Sequence, residues 1–253
     1  MIGIDLTEKR ALVTGASRGV GRAVALMLGR AGAHVGISYR SRDEEAVAVV
    51  QELESMGVKA WAAGGDLAEA TTAKRLAGRV IQEFDGLDIF VGNAGVWVPE
   101  DVPVFAMTDE QWRRTLAVNL DAIFYTTREA ARLMAGGGRI VLVGSTAGQR
   151  GEAGHADYAA TKGAMIAMVK GIAIELAERD VTVNCVAPGW IDTEMCARPY
   201  SGAGRARIEA GIPLGRVASA DDIAAPIVFL CSPLARHITG EVLNVNGGAV
   251  LCG

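Results

Sequence analysis

Cysteine and histidine are scarce, and their placement argues against metal. The 253 residues hold four scattered cysteines (Cys185, Cys196, Cys231, Cys252) and three distant histidines (His34, His155, His237). No C-x-x-C pair exists, so no metal site is expected, and reduced thiols in a cytoplasmic compartment are the simple reading. A charge excess of one sign is also missing. The formal net charge is -4 with both signs interspersed and no basic block, which argues against nucleic acid or an anionic membrane as partner. No apolar run is long enough to span a bilayer. The opening MIGIDLTEKRALVTG lacks the basic-then-apolar order of a signal peptide.

Apolar residues make up 50% and glycine numbers 32, which suits one large, closely packed domain over residues 1–253. Short apolar runs alternate with amphipathic ones. Strands are expected at RALVTG (10–15), AHVGISYR (33–40), VKAWAAG (58–64), LDIFVGNAG (87–95), RIVLVGS (139–145), VTVNCVAPG (181–189) and EVLNVNGG (241–248). Helices are expected between them. One is opened by a capping box of Ser41 with Glu44, one by Asp66 as a cap, and a long one over 108–134 by Thr108 with Gln111. Another long, unusually apolar helix follows Ala156, and a short one opens with a Ser-x-x-Asp start at Ser219. This rhythm predicts an α/β fold, a parallel sheet with helices on both faces. Residues 189–217 show no clear period and are expected to form a lid.

Ligands of such sheets bind beyond the carboxyl ends of the strands. TGASRGVG (14–21) joins the first strand to the first helix there, where glycines and free N–H groups receive phosphate. Gly15, Ser17, Arg18, Gly19, Val20 and Gly21 are therefore assigned to a dinucleotide. The second strand ends Tyr39-Arg40-Ser41-Arg42, without an acid to hold ribose hydroxyls. With Arg18 in the loop, this favours the extra phosphate of NADP(H), while NAD(H) stays possible. Tyr158 and Lys162, four apart, share a helix face, with Ser145 at the end of the preceding strand. An ammonium beside a phenol is expected to lower the phenol's pKa and make it a general acid or base.

Together these motifs resemble the short-chain dehydrogenase/reductase family over essentially the whole chain. Its marks are TGASRGVG, NAG at 93–95, Asn119, Ser145, the Tyr158-x-x-x-Lys162 pair and PG at 188–189. The resemblance implies a single-domain Rossmann fold with a doubly wound seven-stranded sheet, and a hydride-transferring oxidoreductase. It gives Ser145 the substrate oxygen, Tyr158 the proton, Lys162 the nicotinamide ribose and Asn119 a water linked to Lys162. It places Asp66 and Leu67 at adenine, Asn93, Ala94 and Gly95 along the cofactor, Pro188 and Gly189 beside it, and Ile191 and Thr193 at the carboxamide. Trp97, Gln149, His155 and Trp190 are candidates for the substrate. One departure is Gly92, where the family usually has a second asparagine. YAATKGAM and VTVNCVAPGWIDTEM look most like the 3-oxoacyl-carrier-protein reductase branch, which implies a small carbonyl or acyl-thioester substrate. Glu175 stands where that branch often has arginine. A homotetramer built on the helices at 108–134 and 157–179 is implied as well. A non-catalytic nucleotide sensor and a sugar epimerase or dehydratase are the competing classes.

Overall fold

Seven strands form one parallel sheet in the order β3-β2-β1-β4-β5-β6-β7. The strands are β1 (Arg10–Val13), β2 (His34–Tyr39), β3 (Ala60–Gly64), β4 (Ile89–Gly92), β5 (Arg139–Val143), β6 (Thr182–Pro188) and β7 (Val242–Val245). The helices are α1 (Gly19–Arg30), α2 (Asp43–Ser55), α3 (Ala70–Phe84), α4 (Asp109–Leu116), α5 (Ala122–Leu133), α6 (Thr146–Arg150), α7 (Ala156–Leu176), α8 (Gly204–Ala210) and α9 (Ala220–Leu230). This computed structural model describes residues 3–252.

Alternate side chains of each strand enter opposite faces, and both faces are covered. Ala11, Val13, Val35 and Ile37 pack with α1, α2 and α9. Leu12, Phe90, Ile140 and Leu142 pack with α3, α5 and α7. The strands are therefore apolar on both sides, as parallel sheets require. The order reverses between β1 and β4, which opens a crevice beyond their carboxyl ends.

Several expected boundaries shift. The helix expected over 108–134 is split by a π-helical turn at Ala117–Asp121. Thr108 does cap its start, accepting from the Gln111 N–H at 3.2 Å. Ser41 does not cap α2, which begins one residue later than a Ser41 cap requires and has no side-chain cap. Three acids in its first turn, Asp43, Glu44 and Glu45, face the positive helix end instead. Asp66 does not cap α3 either. Its carboxylate accepts from the Ala68 N–H at 3.0 Å, an Asx turn that delays the helix to Ala70. Ser219 with Asp222 forms the reciprocal box at α9.

The 189–217 segment is not without structure. It contains a 3-10 turn at Glu194–Cys196 and α8. A bridge between Ile191 and Ala218 pins its two ends.

Candidate active site

The phosphate-loop sequence folds tightly because its glycines are obligatory. Gly15 and Gly19 have φ of 64° and 55°, the left-handed region where a side chain is strained. A Cβ on Gly21 would lie 2.4 Å from the Gly15 carbonyl oxygen and 2.6 Å from Asn93 Nδ2. The loop after β4 is tied to it. Asn93 Nδ2 donates to the carbonyls of Thr14 (2.9 Å) and Gly15 (3.1 Å). Thr14 Oγ1 accepts from the Asn93 and Ala94 N–H groups at 3.0 and 3.1 Å. Thr14 was not assigned a role from sequence, and its only signal there is its place beside Gly15.

These loops frame one cleft of about 360 Å³ over the carboxyl ends of β1, β2, β4, β5 and β6. Every residue assigned above to the dinucleotide lines it, from the glycine loop through Tyr39–Ser41, Asp66, Leu67 and Asn93–Gly95 to Pro188, Gly189, Ile191 and Thr193. Glu194 spans two of the basic groups. Its carboxylate pairs with Arg18 and lies 3.6 Å from Arg42. Gly92 leaves no gap, since a Cβ there would meet Leu142 at 2.7 Å and Ile123 at 3.3 Å. The departure from Asn-Asn-Ala-Gly is thus absorbed by core packing.

Ser145, Tyr158 and Lys162 converge on the same cleft. Ser145 leaves β5 and caps α6, accepting from the Ala147 N–H at 3.1 Å. Tyr158 and Lys162 stand in the first two turns of α7. Their helix start is anchored by Asp157, a buried carboxylate that accepts from Thr115 Oγ1 (2.7 Å), Gln111 Nε2 (3.2 Å) and the Tyr158 N–H (2.8 Å). Sequence reasoning gave Asp157 no role, because its partners come from a helix more than forty residues earlier. Lys162 Nζ donates to the Val143 carbonyl at 2.7 Å and sits 5.7 Å from the Tyr158 ring centroid.

The electrostatics differ from the expectation for Tyr158. Burial pushes its phenol above the ordinary value, and the neighbouring Ser145 hydroxyl pulls the other way. The Lys162 ammonium, bonded to the Val143 carbonyl, does not offset that burial in this arrangement. Burial holds Lys162 itself down, to about 8. At neutral pH the pair is therefore a protonated phenol beside an ammonium ion.

Asn119 stands one layer behind the cleft. Its Oδ1 accepts from the Val96 N–H at 2.7 Å and its Nδ2 donates to the Val96 carbonyl at 2.8 Å. Both polar ends of the amide are thus engaged with backbone. A Cβ on Gly95 would lie 3.2 Å from Asn119 Oδ1 and 3.7 Å from Lys162 Nζ, so this glycine lets the three meet.

At the far end, Trp97 and Trp190 line the cleft as a T-shaped pair 5.9 Å apart. Gln149 and His155 do not line it. Gln149 turns away to donate to Asn244 Oδ1 at 2.6 Å. His155 is buried against the Val98 carbonyl at 2.9 Å and stacks behind Trp97 at 4.8 Å. Arg150, Glu152, Met195 and Cys196 line the cleft without having been singled out. Among the described residues no group of three His, Cys, Asp or Glu side chains is placed to hold a metal, and no helix is long and apolar enough to cross a membrane.

The chain is similar to known proteins along nearly its whole length. Residues 15–250 match a family model described as enoyl-(acyl carrier protein) reductase. A 3-oxoacyl-[acyl-carrier-protein] reductase FabG from Staphylococcus aureus is 38% identical over 242 residues, covering 95% of this chain and 97% of the relative. That from Aquifex aeolicus is 40% identical over 248 residues, with 97% and 98% covered. A crystal structure of a short chain dehydrogenase from Burkholderia cenocepacia in complex with NADP has a TM-score of 0.91 at 40% identity, covering 96% of this chain and 98% of that one. A short-chain dehydrogenase/reductase from Brucella melitensis, described as a glucose/ribitol dehydrogenase, has a TM-score of 0.93 at 32% identity, with 99% and 100% covered.

Proposed function

Because the chain belongs to the short-chain dehydrogenase/reductase family, we propose that it is an NADP(H)-dependent oxidoreductase interconverting a ketone and a secondary alcohol. The observation that carries this reading is the convergence of Ser145, Tyr158 and Lys162 on the rim of a glycine-cradled cleft. The cradle fits a dinucleotide: Gly15, Gly19 and Gly21 keep backbone N–H groups open where any side chain would clash or strain. Arg18 and Arg42 supply cations for the 2′-phosphate that distinguishes NADP(H). The NADP complex of the Burkholderia cenocepacia neighbour supports that choice.

When bound, the nicotinamide supplies or accepts a hydride at the substrate carbon. The chain's own groups then act on the oxygen. In the reducing direction the Ser145 hydroxyl donates a hydrogen bond to the carbonyl oxygen, and Tyr158 donates its phenolic proton there. The phenolate that this leaves is stabilised by the Ser145 hydroxyl and by the Lys162 ammonium one helical turn away. A phenol raised by burial holds its proton through neutral pH, which suits the acid role. In oxidation the same groups run in reverse.

The names of the relatives put 3-oxoacyl thioesters first among the substrates to test, with simpler ketones beside them. The 189–217 segment, held by a bridge between Ile191 and Ala218 near its ends, serves as the substrate lid in this reading. The four free cysteines suit a reducing cytoplasm. Tyr158→Phe keeps the ring and removes the proton. It is expected to lower ketone reduction with NADPH by about 10²–10⁴-fold while NADPH still binds. Unimpaired reduction would sink the mechanism.

A further inference from the structure

We infer that Asp157 is a positioning residue for Tyr158: one buried carboxylate ties the first turn of α7, which carries the phenol, to α4, and so sets where the phenol meets the substrate oxygen. This rests on the oxidoreductase reading above. It adds to that reading a residue that stands outside the cleft lining and acts through Tyr158.

Tyr158 is the third residue of α7. First-turn N–H groups have no intrahelical acceptor, and helix ends fray unless they are held. His155, which precedes the helix, makes no side-chain cap. Asp157 supplies the missing bond, its Oδ1 accepting from the Tyr158 N–H at 2.8 Å. Its Oδ2 reaches the other way, to α4, and accepts from Thr115 Oγ1 at 2.7 Å and Gln111 Nε2 at 3.2 Å. The two oxygens of one carboxylate thus serve two helices. α4 is itself fixed at its start by the Thr108 cap.

Packing does not account for a carboxylate at this place. Asp157 is 2% exposed and Thr115 4%. The partners of the carboxylate are two neutral side chains and one backbone N–H, with no cation among them. A buried charge so placed opposes folding, and an apolar side chain would fill the space at lower cost. What the carboxylate adds is direction, three bonds that fix the axial place of α7 against α4. The second turn is held separately, by Lys162 on the Val143 carbonyl. Tyr158 stands between these two holds. A shift of about 1 Å at a reacting group can cost about a hundredfold in rate, so the hold on the first turn bears on the proton transfer itself.

The test is reduction with NADPH of a 3-oxoacyl thioester and of a simple methyl ketone, alongside fluorescence titration of NADPH. Thr115→Val keeps the shape and removes one donor. It is expected to lower kcat about tenfold, with NADPH binding and substrate KM within about threefold of the wild type. Asp157→Ala is expected to lower kcat about a hundredfold. Asp157→Asn keeps an acceptor for the Tyr158 N–H, and its amide with that of Gln111 can remake the α4 bonds. It is therefore expected to stay within about threefold of the wild type. Because the loss acts through the phenol, Thr115→Val is expected to cost nothing further in a Tyr158→Phe background. A kcat unmoved by Thr115→Val and Asp157→Ala, a loss confined to KM, Asp157→Asn as impaired as Asp157→Ala, or an equal loss in the Tyr158→Phe background would each overturn the inference. Should Asp157→Ala fail to fold, Thr115→Val and Asp157→Asn decide. Reduction that Tyr158→Phe leaves unimpaired removes the parent reading, and this inference with it.

Discussion

Lys162 is 4% exposed and its ammonium has one oxygen partner, the Val143 carbonyl. Burying a cation so sparsely opposes folding. Burial depresses its pKa to about 8 against an ordinary 10.5, so the unfolded chain binds the extra proton between those values. Stability therefore rises as pH climbs from about 8 to 10.5, and the penalty is fully present below pH 8. The chemistry runs the other way, since the charge that stabilises the Tyr158 phenolate is lost as pH rises through about 8. Reduction is expected to decline above pH 8 in a pH–rate profile. Lys162→Met is expected to raise the melting midpoint at pH 7, by about 2–4 °C for each kcal/mol recovered, while activity falls by at least about a hundredfold. A calorimetric scan with a turnover assay checks both. A melting midpoint that falls would mean that Lys162 supports the fold.

The 3-10 turn Glu194–Cys196 joins the two ends of the cleft. Glu194 holds Arg18 and Arg42, while Met195 and Cys196 face the substrate side. A 2′-phosphate claiming those arginines has to displace the glutamate. Glu194→Gln removes the competing charge and is expected to tighten NADP(H) about three- to fivefold, the scale of an exposed ion pair. NAD(H), lacking that phosphate, is expected to change less, and the difference to shrink at high salt. Nicotinamide fluorescence titrations of both cofactors decide it. Equal gains for both would show that Glu194 does not compete with the phosphate. The π-helical turn at Ala117–Asp121 is a second element with a task, since it sets Asn119 against Val96 beneath the site.

At the scale of the whole molecule, apolar surface is left over. Trp112 on α4, Phe124 on α5 and Ile174 on α7 are exposed, Ile174 at 80%. These helices cover one face of the sheet, so the same face presents apolar groups outward. A homotetramer that buries them is the expected solution state. Light scattering after size exclusion is expected to give about four times the 26.4 kDa chain mass. A stable monomer would leave this surface unexplained. Ile174→Glu is expected to shift the assembly toward smaller species without loss of the monomer fold.

The sheet, the phosphate loop and the Ser145–Tyr158–Lys162 set were legible in the chain itself. Strand alternation, glycine spacing and the four-residue helical repeat are local properties, and local sequence encodes them directly. Helix starts were less legible. Ser41 and Asp66 had the composition of caps, but Asp66 bonds the Ala68 N–H in a turn instead, and α2 starts one residue late with three acids in its first turn. What only the tertiary structure decided were the contacts between distant segments. Glu194 reaches Arg18, Asp157 receives Thr115, His155 backs Trp97, and Glu152 enters the cleft wall. The direction of the Tyr158 shift belongs here too. Sequence spacing places the lysine one turn away, but burial depth and the Val143 carbonyl determine what each charge meets. Those depend on how the layers close over the sheet, which no local pattern encodes.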